Sequence, residues 1–502
     1  MSSPATPEVN DQEAALKAET GRHLDRSLMH GVAWTGGMKW VTQVFSWAAT
    51  LIIARLLTPA DYGLMTMANI YLGFIALVNE FGLGPAIIRQ RDLTEDQISA
   101  LGGVSVGLSV ALWIFSIGVA VPIAWFFEEP AVRWIIMALG VTFVTTGLKV
   151  LPRSLLTRDL RFKRVAAIDA IEAMGAVVVT LVLAALGFRY WSLVLGGIVG
   201  SLISCIMALR WCPHRRHWPK SFESVKPSIL FGWHIVVSRF AWYFYSNADF
   251  AIVGRLFDKV TLGGYSFAWS LASIPVTRIS SLVGQVTPAI FSAVQDDKEQ
   301  LKRYMLRLTE GLAFITFPFS VGLALVAREF VLVALGPEWK PAIVPLQLLA
   351  FYAGLRSITT LHPQILTSVG RAREQMRYSL LALFVLPPLF FIGGKLGGPA
   401  GVAWAWIVGY PLIMIPPYRD VFQVTGITLK EYIASLWPAA LGSAGMAAGV
   451  LGAAELLPST IAPVEALIVK SIVGGALYVV LVLGLQRDRL RVLRNMLSQF
   501  KR

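Results

Sequence analysis

The stretch ARLLTPADYG at residues 54–63 returns in altered form as GRLFDKVTLG at residues 254–263. Each copy holds an Arg-Leu pair and, eight residues after the arginine, a glycine: Arg55 with Gly63, and Arg255 with Gly263. Three further matches keep an offset of about 200 residues: Pro85-Ala86-Ile87 with Pro288-Ala289-Ile290, Leu156-Thr157 and Arg161 with Leu366-Thr367 and Arg371, and Ile198-Val199-Gly200 with Ile407-Val408-Gly409. Four matches at offsets near 200 residues indicate an internal duplication.

The composition places the duplicated chain in a membrane. Hydrophobic residues make up 56% of the 502 residues and charged residues only 15%, and the mean hydropathy is +0.64. Apolar runs of about 20 residues, enough to cross a bilayer, follow one another along the chain. The pattern predicts an all-α integral membrane protein with about fourteen transmembrane helices, near 31–57, 62–88, 98–127, 131–152, 165–187, 190–210, 228–254, 262–292, 304–327, 341–369, 375–394, 399–418, 432–456 and 463–485.

The duplication predicts how these spans are grouped. Six spans in each copy return the chain to its starting side, so we expect two parallel six-helix lobes related by a pseudo-two-fold axis along the membrane normal. Two halves that rock about a central site are typical of transporters. The predicted divisions are a cytoplasmic segment 1–28, an N-lobe 29–210, a basic cytoplasmic linker 211–227, a C-lobe 228–420, and a region 421–502 with two more spans and a basic tail.

The charge distribution predicts the orientation of the chain. The net charge is +14, and most Lys and Arg outside the spans fall on the side of the N-terminus. By the positive-inside rule, this bias places both termini in the cytoplasm. Segment 1–28 has no apolar core, so we do not expect a cleaved signal peptide. The basic segments attract anionic lipids, and nothing in their distribution supports nucleic-acid binding.

The sequence favours a transporter over an enzyme. The loops on the predicted outer side are too short for a catalytic platform, and no phosphate-binding Gly-Lys-Ser/Thr loop is present. Because the chain therefore does not hydrolyse nucleotides by the familiar route, an ion gradient, a membrane potential or mass action must drive it, and we expect no cofactor. The two cysteines give no disulfide framework. Cys212 is close to His214 and His217 in sequence, but the cluster lacks a fourth ligand and no metal site is expected.

Several cations fall inside the predicted spans. Each such charge costs about 2.5–3.5 kcal/mol on insertion scales, so it generally faces a protein interior or a watery cavity. Lys39, Arg239 and Arg278 have no acidic residue within four positions along the sequence, and they belong to the first, seventh and eighth spans. Arg suits a phosphate because its planar fork donates paired hydrogen bonds. We predict an anion-binding site formed by these three residues together with Arg356.

Other interpretations of the charged and aromatic residues stay open. The cations can instead snorkel to the interface or pair with Asp249 or Glu80. Three acids in the spans, Asp169, Glu172 and Asp249, are candidates to carry a coupling proton. Aromatic residues crowd the seventh and eighth spans, where they can stack on sugars or form the ordinary interfacial belt: Trp233, Trp242, Tyr243, Phe244, Tyr245, Tyr265 and Trp269.

Several motifs together resemble a known family. They are Ala54-Arg55-Leu56-Leu57 through Tyr62-Gly63, Phe81-Gly82-Leu83-Gly84-Pro85-Ala86-Ile87-Ile88, Arg158-Asp159-Leu160-Arg161-Phe162-Lys163-Arg164, and Gly336-Pro337-Glu338-Trp339 through Gly370-Arg371. The resemblance is to Wzx-type polysaccharide flippases, in the branch of colanic-acid and related exopolysaccharide transporters, and it covers about 31–420. It implies membership of the MOP superfamily, which also holds multidrug exporters and the peptidoglycan-precursor flippase.

The resemblance also implies a substrate and a place in the cell. The substrate would be an undecaprenyl-diphosphate-linked oligosaccharide, moved by alternating access across a bacterial inner membrane for exopolysaccharide, O-antigen or capsule synthesis. The family's cationic central cavity would receive the diphosphate among Lys39, Arg239, Arg278 and Arg356. A polysaccharide polymerase or the export machinery is a candidate partner.

Three alternatives to this function remain. A drug exporter on the same fold should have a net acidic cavity, whereas the spans hold more bases than acids. A membrane polymerase or ligase would need larger outer loops. A scaffold that only organises an assembly complex would tolerate neutralisation of every buried charge.

Overall fold

The structure, a computed structural model, describes residues 46, 48–80, 84, 87–88, 93–214, 216–218, 226–458 and 461–485. Segment 1–28, the basic tail and Lys39 therefore lie outside the described residues. The described residues form helices and no strand, which confirms the predicted all-α class. Ten helical stretches in this part of the chain are long and apolar enough to cross a membrane.

The helices follow the predicted apolar runs, because a backbone in lipid must satisfy its own hydrogen bonds. Residues 48–56 are helical and precede α1 (Pro59–Glu80), α2 (Glu95–Phe127), α3 (Ala131–Leu139), α4 (Val141–Arg158), α5 (Phe162–Ala185), α6 (Tyr190–Trp211), α7 (Lys226–Leu256), α8 (Lys259–Ala293), α9 (Lys298–Ala334), the 3-10 helix Pro337–Ala342, α10 (Ile343–Ser357), α11 (His362–Ser368), α12 (Ala372–Thr425), α13 (Leu429–Leu456) and α14 (Pro463–Leu485).

Two predicted spans are interrupted, and two others run on as one long helix with a kink. The span near 131–152 is interrupted at Gly140, and the span near 341–369 between Ser357 and His362. The long helix α12 contains non-helical backbone at Gly397 and Gly398, and Gly398 has φ +63. Only glycine adopts such a conformation without strain, so this kink divides α12 into the two spans predicted near 375–394 and 399–418.

The chain forms two compact units. The first contains the described residues up to Ile53 together with Ile75–Val119 and Ile135–Val236. The second contains Ala54–Phe74, Ala120–Trp134 and the described residues from Val237 onward. The second unit thus holds segments from both copies of the duplication.

The repeated glycines meet in the second unit. A Cβ on Gly63 would lie 1.8 Å from the carbonyl oxygen of Lys259, and a Cβ on Gly263 would lie 1.7 Å from the carbonyl oxygen of Pro59. Beside them, the Thr66 hydroxyl donates to Ser266 Oγ at 2.9 Å, again between residues 200 apart. We call this set the Gly63–Gly263 contact. It explains why both copies keep a glycine, since no side chain fits between these two backbones.

The last two helices are fixed to α9. Lys470 on α14 forms an ion pair of 2.6 Å with Glu329 on α9, and both side chains are largely buried. The Tyr478 hydroxyl of α14 also donates to the carbonyl oxygen of Phe314 at 2.7 Å. Although α13 and α14 have no counterpart in the duplication, they are part of the second unit.

Candidate functional site

Asp249, on α7, is a fully buried carboxylate in the second unit. It accepts hydrogen bonds from the Tyr265 hydroxyl at 3.0 Å, from Trp406 Nε1 at 2.9 Å, and from the backbone N–H of Phe250 at 2.9 Å. These three donors are all neutral. Among the described residues, no cationic side chain lies within ion-pair distance of Asp249, so neutral donors alone hold this buried carboxylate.

An aromatic cluster leads away from Asp249. The Trp406 ring packs at 5.2 Å from Trp269 and at 4.8 Å from Tyr352, and Trp269 and Tyr352 lie 5.6 Å apart. Tyr410 contacts Tyr352 edge-on at 5.2 Å. Contacts at these distances are typical of stabilising aromatic pairs. The rings come from α8, α10 and α12 and form a rigid apolar wall.

Arg356, in the last turn of α10, lies one turn after Tyr352 of this wall. Its side chain lies in the neighbourhood of Tyr352, Tyr410, Tyr245 and Asp249. Within the described part of the chain, no carboxylate pairs with its guanidinium and no acceptor takes a hydrogen bond from it. A guanidinium carries five N–H donors, so this group has unused capacity to bind an anion.

A narrow cleft opens beside the Arg356 guanidinium. It is lined by Trp269, Ala272, Ser273, Val276, Thr277, Leu349, Tyr352, Ala353 and Arg356. The free space inside is about 10 Å³, close to what one water molecule requires. We call this the Arg356 cleft; it combines one cation, two aromatic side chains and the hydroxyls of Ser273, Thr277 and Tyr352.

The other predicted anion-binding residues are placed separately. Arg239 lies on α7 and Arg278 on α8, and both side chains are exposed. Both also interact with neighbouring groups. Lys39 is outside the described residues. The structure thus puts Arg239, Arg278 and Arg356 in one unit, and their joint role in substrate binding stays a prediction.

The two candidate acids of the first unit are already paired. Glu172 on α5 pairs with Lys149 on α4 at 2.6 Å, and the same ammonium donates to Ser204 Oγ at 2.9 Å. Asp169, one turn earlier on α5, pairs with Arg153 at 3.0 Å. Of the three acids predicted to carry a coupling proton, Asp249 therefore differs in having no basic partner among the described residues.

Sequence reasoning missed most of the aromatic wall. Trp269 and Tyr265 were among the predicted aromatic residues, but Tyr352, Trp406 and Tyr410 were not. Trp406 is 157 positions from Asp249, its hydrogen-bond partner, and no spacing rule connects residues so far apart. The available signal was a run of large aromatic residues on apolar helices, which ordinary membrane packing also produces.

Comparison with known proteins identifies relatives along most of the chain. The chain is 24% identical over 393 residues to the lipopolysaccharide biosynthesis protein WzxC of Escherichia coli (strain K12), which covers 77% of this chain and 79% of that protein. It is 25% identical over 479 residues to the succinoglycan biosynthesis transport protein ExoT of Rhizobium meliloti (strain 1021), which covers 94% of this chain and 96% of that protein.

A solved structure confirms the fold. The lipid II flippase MurJ in an inward closed conformation superposes with a TM-score of 0.72, covering 90% of this chain and 99% of that chain. The sequence identity is 13%, so this likeness concerns the fold alone.

The family assignment rests on one continuous segment. Residues 52–344, more than half of the chain, match the family described as polysaccharide biosynthesis protein. The matched segment begins just before Arg55 and contains both copies of the Arg-Leu…Gly motif. The chain therefore belongs to the polysaccharide biosynthesis protein family, as its motifs predicted.

Proposed function

We propose that this protein is a flippase that moves lipid-diphosphate-linked oligosaccharide repeat units across the bacterial inner membrane by alternating access. The termini would lie in the cytoplasm, as the distribution of basic residues predicts. The names of two relatives, one for lipopolysaccharide biosynthesis and one for succinoglycan transport, support an exported glycan as the cargo. The duplication in the sequence, together with the helical, strand-free structure of the described residues, supports transport between two alternating states.

The observation that carries this proposal is the uncompensated guanidinium of Arg356. A cation inside a membrane protein is costly, and the described residues offer Arg356 neither an ion pair nor a hydrogen bond. Trp269, the partly exposed ring beside it, would offer a sugar ring a flat apolar face. A cargo that is both anionic and sugar-bearing matches these two features. Lys39, Arg239 and Arg278 remain the predicted contacts of the diphosphate.

The test is export in a strain that lacks the chromosomal gene and is complemented with variants. Arg356→Gln should reduce exported glycan about tenfold or more, since hydrogen bonds to charged groups contribute about 1.5–3 kcal/mol. Lipid-linked repeat units should accumulate on the cytoplasmic side. Arg377→Gln, which changes an exposed arginine on α12, is the matched control. Normal export by Arg356→Gln, at equal protein level in the membrane, would contradict the proposal.

Asp249 is the proposed site of proton coupling. Its carboxylate is fully buried and is held by neutral donors alone, whereas Asp169 and Glu172 are held by basic partners. A proton on Asp249 would remove one buried negative charge. In sealed vesicles, collapsing the proton gradient should slow transport by the native protein but not residual transport by Asp249→Asn. Equal sensitivity of the two proteins would exclude Asp249.

A drug exporter is the rival with the same fold. A fully buried carboxylate such as that of Asp249 could bind a cationic drug, so the test must distinguish a drug from a glycan as the cargo. A deletion strain of a flippase should lose its surface glycan and keep its resistance to cationic drugs. Increased drug sensitivity with unchanged glycan would favour the exporter.

A further inference from the structure

We propose that the turn between α4 and α5 is an anchoring site that binds the headgroups of anionic phospholipids in the cytoplasmic leaflet. We call residues 158–164 the Leu160 turn. The proposal does not involve the cargo; it concerns how the first unit is held at the membrane surface. It follows from the backbone of the turn, from its side chains, and from a comparison with the equivalent turn of the second copy.

The two copies build this turn with the same backbone. The backbone angle φ is +58 at Leu160 and +80 at Gly370, the equivalent residue. A leucine adopts this left-handed conformation only at a cost in conformational free energy that a glycine avoids. In each copy, two N–H groups donate to carbonyl oxygens of the preceding helix: Leu160 to Thr157 at 3.1 Å and Arg161 to Leu156 at 2.8 Å, and Gly370 to Thr367 at 3.1 Å and Arg371 to Leu366 at 2.7 Å.

Packing inside the protein does not account for this leucine. The Leu160 side chain is 60% exposed, and that of Phe162, two residues later, is 42% exposed. The equivalent positions of the second copy are Gly370 and Ala372, which carry no large apolar side chain. Backbone strain that the protein's own packing does not repay is typical of a functional position. We therefore expect these two side chains to contact something outside the chain.

The Leu160 turn is also strongly basic. It contains four basic residues and one acid, and the side chains of Arg161, Lys163 and Arg164 are exposed. Arg164 Nη1 donates to the carbonyl oxygen of Trp211 at 3.3 Å, which fixes the turn to the end of α6. In the second copy, the residue equivalent to Arg164 is Glu374. The first copy thus combines apolar side chains and positive charge where the second copy has neither to the same degree.

The position of the turn fits a membrane surface. Helices α4 and α5 belong to stretches long and apolar enough to cross a membrane, and only residues 159–161 separate them. The turn therefore lies at the depth of the headgroups. On α5, Met174, Val178 and Val182 form an exposed apolar stripe, as expected of a surface that faces lipid. Lys163 lies about three turns before Met174 on the same face of the helix.

Apolar side chains flanked by cations suit an anionic phospholipid. Leu160 and Phe162 would enter the boundary between headgroups and acyl chains, while the cations bind the phosphates. Basic residues next to a membrane span are attracted to an anionic leaflet, and their long stems can lie along apolar surface. A soluble phosphate would use the charges without the apolar side chains, and an uncharged lipid would do the reverse. An anionic lipid uses both.

The experiment is limited digestion of the full-length protein with trypsin, which cleaves after Arg and Lys and so reports on the turn itself. The protein is placed in nanodiscs of dioleoylphosphatidylcholine alone or of an equal mixture with dioleoylphosphatidylglycerol, and mass spectrometry follows cleavage after Arg161 and Lys163. Phosphatidylglycerol should slow this cleavage about fivefold or more, the gain expected for one basic residue near an anionic surface. Cleavage after Arg371 and Arg373, in the equivalent turn, is the internal control and should slow by less than about twofold.

The Leu160→Gly variant separates anchoring from folding. It removes the left-handed strain, so the unfolding temperature in detergent should stay the same or rise, while the protection by phosphatidylglycerol should fall to that of the control turn. Leu186→Gly, at the other end of α5 and 67% exposed, is the matched control and should keep the protection. Rates are compared between the two nanodiscs within each variant, so a direct effect on recognition by trypsin cancels. Should Leu160→Gly fail to fold, Lys163→Gln decides, because it should weaken the protection at Arg161.

Four results would overturn the proposal. Cleavage that phosphatidylglycerol does not slow would mean that the turn binds no anionic lipid. Equal protection of both turns would mean a general attraction of basic residues, without an apolar anchor. Full protection in Leu160→Gly would mean that the leucine does not enter the membrane. Protection by soluble glycerol 3-phosphate in phosphatidylcholine nanodiscs would mean a site for a free anion. None of these results changes the outcome of the export experiment, so the proposed function would fail only on its own test.

Discussion

Two regions of the second unit relate to the duplication differently: one is a contact between the two copies, and the other is built from the second copy alone. In the Gly63–Gly263 contact, residues 200 positions apart touch one another, and both copies keep the same small or hydroxyl-bearing side chains. In the Arg356 cleft and at Asp249, every lining residue comes from the second copy. At the same offset, Ala49 corresponds to Asp249 and Asn69 to Trp269. The comparison indicates that the duplication preserved helix packing, while divergence of the second copy produced the charged and aromatic chemistry.

The largest loss of stability should come from placing a side chain in the Gly63–Gly263 contact. Gly63→Ala puts a methyl group 1.8 Å from the carbonyl oxygen of Lys259. This oxygen belongs to the backbone, so it cannot move aside as the end of a flexible side chain could. We expect a loss of at least about 3 kcal/mol, the upper end of the usual cost of overpacking, seen as a lower unfolding temperature in detergent. Gly263→Ala should cost about as much, because its neighbour is the equivalent backbone. Gly118→Ala, which meets nothing within 4 Å, is the control and should be neutral or slightly stabilising. Unequal losses of stability for Gly63→Ala and Gly263→Ala would contradict the expectation that the two copies contribute equally to this contact.

A smaller loss of stability is expected from substitutions of Asp249, where the second copy has diverged from the first. Asp249→Ala leaves the buried Tyr265 hydroxyl and Trp406 Nε1 without an acceptor. An unsatisfied buried donor costs about 1–3 kcal/mol, partly offset here because a buried charge is also removed. Asp249→Asn keeps one acceptor oxygen and should lose less stability than Asp249→Ala in the same melting assay. Equal losses would mean that the carboxylate oxygens do not hold Tyr265 and Trp406 in place.

The smallest loss of stability should come from removing Arg255, the second copy of the repeated arginine. Arg255 pairs with Glu128 at 2.9 Å, but the two side chains are 47% and 70% exposed. Exposed ion pairs contribute about 0–1 kcal/mol, so Arg255→Ala should lower the unfolding temperature slightly, and high salt should erase the difference. A loss as large as that of Gly63→Ala would mean that the repeated motif acts through its charge and not through its glycine.

The fold could be predicted from the sequence because membrane insertion depends on local hydropathy. Apolar runs along one segment decide whether that segment spans, without reference to the rest of the chain. The helical class and most spans followed in this way, the family followed from the sequence motifs, and all three are confirmed. The kink at Gly397 and Gly398 was less accessible, since glycine is also frequent in unbroken membrane helices. The interruption between Ser357 and His362 had no such signal, because residues 358–361 contain neither glycine nor proline.

The candidate site could be predicted only in part. Arg356 and Asp249 were identified because a charged residue in an apolar run is conspicuous in any sequence. Their surroundings were not predictable, because Asp249 meets Trp406 across 157 positions. Sequence spacing equally failed to distinguish Asp249 from Glu172, although one is held by neutral donors and the other by Lys149.

The sequence by itself determined that this protein lies in a membrane, that it arose by duplication, and which charged residues would have to be accommodated inside it. Hydropathy and repetition are properties of the chain alone, so no folded structure was needed for these conclusions. Only the tertiary structure decided that Gly63 and Gly263 hold two backbones together, and that Arg356 faces a cleft while Lys149 is neutralised. The reason is that close approach and charge compensation depend on distances between helices, which are set by packing across the whole unit.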